Sequence, residues 1–161
     1  MMNTTEPQAS SPTLTTMKIH PPLLAGALVL ITLALHFMLP EERTVGWEQF
    51  IGLLFVAAGV GVMCFAAAIF TARDTTRNPQ GEPTAFVVLS PYTWTRNPMY
   101  LGLATTLFGL AIFFGSIVML LAPVVFFAVI DRMVIPREEE TMERLFGQDY
   151  VAYKDRVRRW I

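Results

Sequence analysis

Cysteine is nearly absent from this chain. Cys64 stands alone in an apolar run, which excludes an intrachain disulfide and any metal site built from clustered cysteines. Histidine is almost as scarce. His20 and His36 lie far from the charged segments, with no ligand neighbour at helical spacing, so no metal is expected. Charged residues make up only 16% of the chain, against roughly 25% in soluble domains. The net charge is −1, so bulk charge points to no nucleic-acid partner. The interiors of the long apolar segments contain no charged group apart from His36, near an end, and Asp131 and Arg132 sit at the exit of the last segment. That argues against ion-coupled transport, whose pathways carry such groups inside their spans.

What the chain has in abundance is apolar sequence, 53% of 161 residues. That is room for one domain. Residues 1–16 are rich in Ser, Thr and Pro without apolar period and read as a mobile tail. No basic region precedes an apolar one there, so a signal peptide is not expected. Residues 17–161 read as a single domain. Four apolar segments follow, at about 22–39, 50–72, 98–114 and 117–133. At about 1.5 Å per residue each reaches across most of a hydrocarbon core, the last two being slightly short. The fold class expected is therefore all-α integral membrane, with four transmembrane helices and a C-terminal amphipathic cytoplasmic helix.

The second segment is dense in small residues, among them Gly52, Gly59 and Gly61, and these read as helix-packing positions. Only Gly115 and Ser116 join the third and fourth segments, which predicts an antiparallel hairpin with Pro98 and Met133 emerging on the same side. Pro123 is expected to kink the fourth segment. Beyond it, Pro136 to Arg156 reads as an amphipathic helix. Glu138, Glu139 and Glu140 suit its positive end. Met142, Leu145 and Phe146 form an apolar stripe that Tyr150 and Tyr153 extend, and Gly147 divides the helix.

With four spans, the tail, the second loop and the C-terminal segment share one face. That face carries eleven of the twelve Lys and Arg residues, and Arg43 alone falls opposite. The positive-inside rule then predicts a multi-pass protein with both termini cytoplasmic, as in a bacterial inner membrane.

Polar residues able to carry chemistry cluster on that face. In the stretch from Tyr92 to Gly102, Asn97 is a good N-cap and Pro98 a good first helical residue. The helix start so formed offers free N–H groups and a positive dipole end to an anionic group. Gly102 lets a ligand or another helix approach the backbone. In the second cluster, Glu138-Glu139-Glu140, carboxylates can accept hydrogen bonds from ribose hydroxyls or attract a cation. The hairpin brings Glu138 toward Asn97. A third cluster, Tyr150, Tyr153, Val157, Arg158, Arg159 and Trp160, has the composition of an interfacial anchor.

Arg96-Asn97-Pro98-x-Tyr100-x-Gly102, followed by Glu138-Glu139 and Phe146-Gly147-x-x-Tyr150-x-x-Tyr153, resembles the isoprenylcysteine carboxyl methyltransferase family. The phosphatidylethanolamine N-methyltransferases look similar in plan. The resemblance covers the chain from Arg73 onward. It implies an S-adenosylmethionine site at the cytoplasmic surface, with cofactor contacts at Tyr92, Asn97, Pro98, Met99, Tyr100, Gly102, Glu138 and Glu139. It also implies contacts at Thr84, Ala85, Phe86 and Val87 in the preceding segment. Asn97 stands where the eukaryotic enzymes have histidine, Ser90 where glycine is usual, and Met133-Val134-Ile135 where a substrate-contacting arginine is found. The implied activity is thus membrane-embedded, S-adenosylmethionine-dependent methyl transfer to a lipophilic or small thiol, carboxyl or amine acceptor entering from the bilayer. A non-enzymatic membrane protein, such as a transporter or assembly partner, or a member that has lost catalysis, is the rival reading.

Overall fold

The computed structural model describes residues 19–39, 46–74 and 89–161. The expected tail and the segment Thr84 to Val87 lie outside them. Every regular element among the described residues is helical. Helix α1 is Pro21–Met38, α2 is Glu48–Asp74 and α3 is Pro98–Phe113. A 3-10 turn, Val118–Leu120, then leads into α4, Leu121–Val129, and a π-helical turn, Ile130–Val134, into α5, Ile135–Phe146. The last helix, α6, is Gln148–Arg156.

Three stretches are long and apolar enough to cross a membrane: Pro21–Met38, Glu48–Ile69 and Val118–Phe146. With 16 residues, α3 is shorter. Its end is set by Gly115, at φ +58°. Gly115 N–H donates to Ile112 O at 2.9 Å and Ser116 N–H to Ala111 O at 3.1 Å, the paired bonds of a Schellman motif. Ser116 Oγ then accepts the N–H of Met119 at 3.2 Å, capping the next helix. The hairpin is closed by these two residues, as their identities predict.

Helices α2 and α3 run antiparallel in close contact because glycines interlock along their length. A Cβ at Gly52 would lie 2.4 Å from Phe113 N, and one at Gly109 would lie 2.6 Å from Val56 N. A Cβ at Gly59 would lie 2.5 Å from Gly102 O. In lipid, where apolar burial does not drive helices together, close backbone approach of this kind supplies the attraction. Gly61 faces away, with nothing within 4 Å of a Cβ, so only part of the glycine-rich run packs as expected. On the other side of α3, α1 and α4 enclose a core of Ala25, Leu107, Ala122, Phe126, Ile130, Val134 and Ile135.

Two features of the fourth segment differ from expectation. Pro123 lies in the first turn of α4, just after the 3-10 turn, where a missing N–H is least costly. The irregularity falls instead at the π-helical turn, where Ile135 N–H donates to Ile130 O, five residues back. Pro136 follows at once. It has no N–H to give, and its ring would crowd the carbonyl four residues back, so the widened turn accommodates it. The helix therefore runs on without a break from the apolar segment into α5. It stops at Gly147, whose φ of +55° favours glycine. There the chain turns so that Tyr150, Tyr153 and Val157 bury themselves with Met142 and Phe146. Leu145 does not join this stripe; it is 66% exposed. An ion pair between Lys154 and Glu143 ties α6 to α5.

Candidate functional site

The starts of α1, α3 and α5 lie at one end of the bundle. Between them opens a cavity of about 740 Å³, within the ~300–1,000 Å³ usual for small-molecule sites. Its polar side is made by Tyr92, Arg96, Asn97, Tyr100, Arg137, Glu138 and Thr141. Its apolar side is made by Ile19, Pro21 and Pro22 before and within α1, Met63 of α2, Met99 and Leu103 of α3, and Met133, Val134 and Met142.

Each polar group is placed by its element. Val134, Glu138, Thr141 and Met142 recur at helical spacing, so one face of the continuous helix points into the cavity. Tyr100, two residues after Pro98, donates its hydroxyl to Glu138 Oε1 at 2.6 Å. That bond joins the two arms of the hairpin. Ahead of α3, Tyr92 N–H donates to Leu89 O at 2.8 Å and Trp94 N–H to Pro91 O at 3.1 Å. This run of turns exposes the Tyr92 carbonyl to the hydroxyl of Tyr153, which donates to it at 2.7 Å. Burial pushes the Tyr153 phenol up to about 12, so it stays a donor at physiological pH. Burial raises the Tyr92 phenol in the same way.

Asn97 stands at the N-cap of α3 with Pro98 behind it, but its side chain does not cap the helix. Its Nδ2 donates to Arg159 O at 3.0 Å. Thr95 Oγ1 donates to the same carbonyl at 3.0 Å and accepts the Asn97 N–H at 3.2 Å. Arg96 N–H donates to Arg158 O at 3.0 Å.

Beneath the cavity lies a charged hub. Arg159 presents Nη2 to Glu139 Oε2 at 2.8 Å and Nε to Oε1 at 3.3 Å. Its Nη1 reaches Asp131 Oδ1 at 3.3 Å, and Trp160 Nε1 donates to the same oxygen at 2.8 Å. The Trp160 ring lies over Phe127, with centroids 4.6 Å apart. Hydrogen bonding to Glu139, above all, raises the Arg159 pKa. Arg96 joins through Nη2 alone, 3.3 Å from Glu139 Oε1. Its Nε and Nη1 are buried without a hydrogen-bond partner among the described residues.

Of the expected site residues, Tyr92, Asn97, Pro98, Met99, Tyr100 and Glu138 line the cavity. Two do not. Gly102 faces α2, where a Cβ would lie 2.6 Å from Gly59 O and 2.9 Å from Met63 N. It is a packing glycine, and the ligand approach expected there is replaced by a helix. Glu139, one residue past Glu138 and so turned about 100° around the helix, is 7% exposed and holds the hub instead. Thr84, Ala85, Phe86 and Val87 lie outside the described residues. Arg96, Arg137 and Thr141 were missed as site residues. For Thr141 the signal was legible, three positions after Glu138. For Asp131 there was none, and Arg159 and Trp160 read only as an interfacial anchor, because their partners lie up to 64 residues away in sequence. Among the described residues no cluster of metal-ligating side chains occurs.

A family model described as phospholipid methyltransferase matches residues 47–149. An uncharacterized protein of Haemophilus influenzae is 38% identical over 63 residues, 39% of this chain and 100% of that protein. No solved structure matches. The matched stretch holds the whole of the cavity's polar wall, from Tyr92 to Thr141, and spans more than half of the chain; the chain belongs to the phospholipid methyltransferase family.

Proposed function

We propose that this membrane protein transfers a methyl group from S-adenosylmethionine to a lipophilic or small thiol, carboxyl or amine acceptor held in the cavity between α1, α3 and α5. The observation that carries the reading is the convergence of Tyr92, Asn97, Pro98, Met99 and Tyr100 from one hairpin arm with Glu138 from the other around one cavity. The residues present suit the cofactor. Glu138 offers a carboxylate to hydroxyls or to positive charge. The buried Nε and Nη1 of Arg96, beside the start of α3, offer donors to a carboxylate.

When bound, the cofactor supplies an electrophilic methyl carbon on a sulfonium centre. The chain's own contribution is alignment. Tyr100 holds Glu138 Oε1 and leaves Oε2 for a ligand. Arg96 anchors the anionic end. Met63, Met99, Leu103 and Met133 keep water from the reacting atoms and face an apolar acceptor. Holding two reactants in line lowers a barrier by about 7–11 kcal/mol. A thiolate or carboxylate acceptor then needs no strong base, whereas an amine must first lose a proton.

Glu138→Gln is expected to weaken cofactor binding more than Glu140→Gln. Loss of a charge-assisted hydrogen bond costs about 1.5–3 kcal/mol, and Glu138, unlike Glu140, lines the cavity. Calorimetry with S-adenosylhomocysteine in detergent measures both. Equal, parental affinities would reduce the acidic run to a complement of the helix dipole.

The same reading places the cavity on the cytoplasmic face, with α3 as a short fourth span and both termini inside. Its support is that the cavity end of the bundle carries Arg96, Arg132, Arg137, Arg144 and Arg159. A cysteine at position 11 should react with an impermeant maleimide from the cytoplasmic side, and one at position 46 from the opposite side. Labelling of position 46 from the cytoplasm would overturn the four-span topology.

A further inference from the structure

We propose that Arg159 is a positioning residue, whose grip on Glu139 keeps Arg96 available to a ligand's anionic group. This inference rests on the cofactor reading above and names a part of the site beyond the residues that the family match covers, which end at 149.

Two guanidinium groups compete for one buried carboxylate. Arg159 takes both Glu139 oxygens, at 2.8 and 3.3 Å. Arg96 is left with a single contact of 3.3 Å through Nη2. A guanidinium with sole access to a carboxylate adopts the two-bond fork, which is the stronger arrangement. Arg96 would do so here, because Glu139 is 7% exposed and water cannot substitute for its missing partner. Arg159 prevents this. The consequence is that Arg96, one of the residues lining the cavity, keeps Nε and Nη1 buried and unpartnered. Such donors are costly to leave unmet, and a small turn of the Arg96 side chain presents them to a ligand carboxylate in the cavity.

Arg159 is itself held from three directions. Asp131 receives Nη1. Trp160, anchored on the same Asp131 oxygen and on Phe127, fixes the next residue. The Arg159 carbonyl collects Thr95 and Asn97. Segment 158–160 thus straps the start of α3 to the π-helical turn and to α5, and the position of Arg96 depends on it from both ends.

The test is a double-substitution cycle read by calorimetry with S-adenosylhomocysteine, on the full chain in detergent, with thermal unfolding recorded beside it. Arg159→Met should weaken binding by about tenfold or more, because Glu139 then captures Arg96. Adding Glu139→Gln removes the competing charge, and the double variant should recover most of the affinity. A strap that only stabilises the fold predicts the reverse, with the double variant no better than Arg159→Met. If Arg159→Met does not stay folded, Arg159→Lys replaces it. The lysine side chain keeps a cation opposite Glu139 but lacks the fork, so binding should fall several-fold and be restored by Glu139→Gln. Parental affinity in Arg159→Met or Arg159→Lys, or no recovery in the double variant, overturns the positioning role while leaving the cofactor reading intact. A parent protein that does not bind S-adenosylhomocysteine overturns the cofactor reading, and this role with it.

Discussion

Gly102→Leu should prevent α2 and α3 from docking, and the variant should fail to give a stable folded protein in detergent. A side chain at position 102 would meet backbone on the facing helix, 2.6 Å from Gly59 O and 2.9 Å from Met63 N. Backbone cannot rotate aside as a flexible side chain can. Extra methylenes in a packed core cost about 1–3 kcal/mol, and here the whole helix pair must separate to admit them. The gain in helix propensity, about 1 kcal/mol for replacing glycine, does not offset that. Gly59→Leu and Gly109→Leu should behave alike, since both face backbone at 2.5–2.6 Å. Gly26→Ala and Gly61→Ala are the controls, with nothing within 4 Å of either Cβ. They should unfold at or above the parental temperature. A Gly102→Leu protein of parental thermal stability that had lost only cofactor binding would return Gly102 to the ligand site.

The two adjacent glutamates should separate by phenotype. Glu139→Ala is expected to cost about 3–5 kcal/mol, the usual result of removing one partner from a buried ion pair. It strands Arg96, whose side chain is 11% exposed, and releases Arg159 from its main partner. Glu138→Ala should cost less, about 0.5–1.5 kcal/mol for the lost hydrogen bond from Tyr100, because Glu138 faces the open cavity. Its loss should appear chiefly in ligand affinity. Thermal unfolding and calorimetry on both variants resolve the pair. Equal destabilisation by the two substitutions would contradict the hub.

Much of this arrangement was legible because membrane helices announce themselves by length. The ends of α1 and α3 fall within a residue of the apolar runs that predicted them. Gly115-Ser116 marked the hairpin because glycine is the residue that ends a helix in the left-handed region. Gly147 marked the break between α5 and α6 for the same reason. The convergence of Asn97 and Tyr100 with Glu138 followed from equal hairpin arms. The π-helical turn could not be read in the same way. Pro123 and Pro136 are alike as letters, and which of them disturbs the helix depends on where the regular hydrogen-bond ladder begins.

By itself, then, the sequence determined that the chain is helical, that it belongs in a bilayer, where its helices turn back, and which end gathers the polar residues. Each of these depends on local spacing or on composition. Which face of each helix meets what was decided only by tertiary structure. Helix α3 is apolar nearly all round, so its sequence does not say whether Gly102 turns toward a ligand or toward α2; the interlocking glycines of α2 do. Glu138 and Glu139 are the same residue type at successive positions, and a rotation of about 100° puts one in the cavity and the other over Arg96. Arg159 acquires its role from carboxylates 20 and 28 residues away and from an amide 62 residues away. No local pattern encodes such partners, because only chain closure brings them within reach.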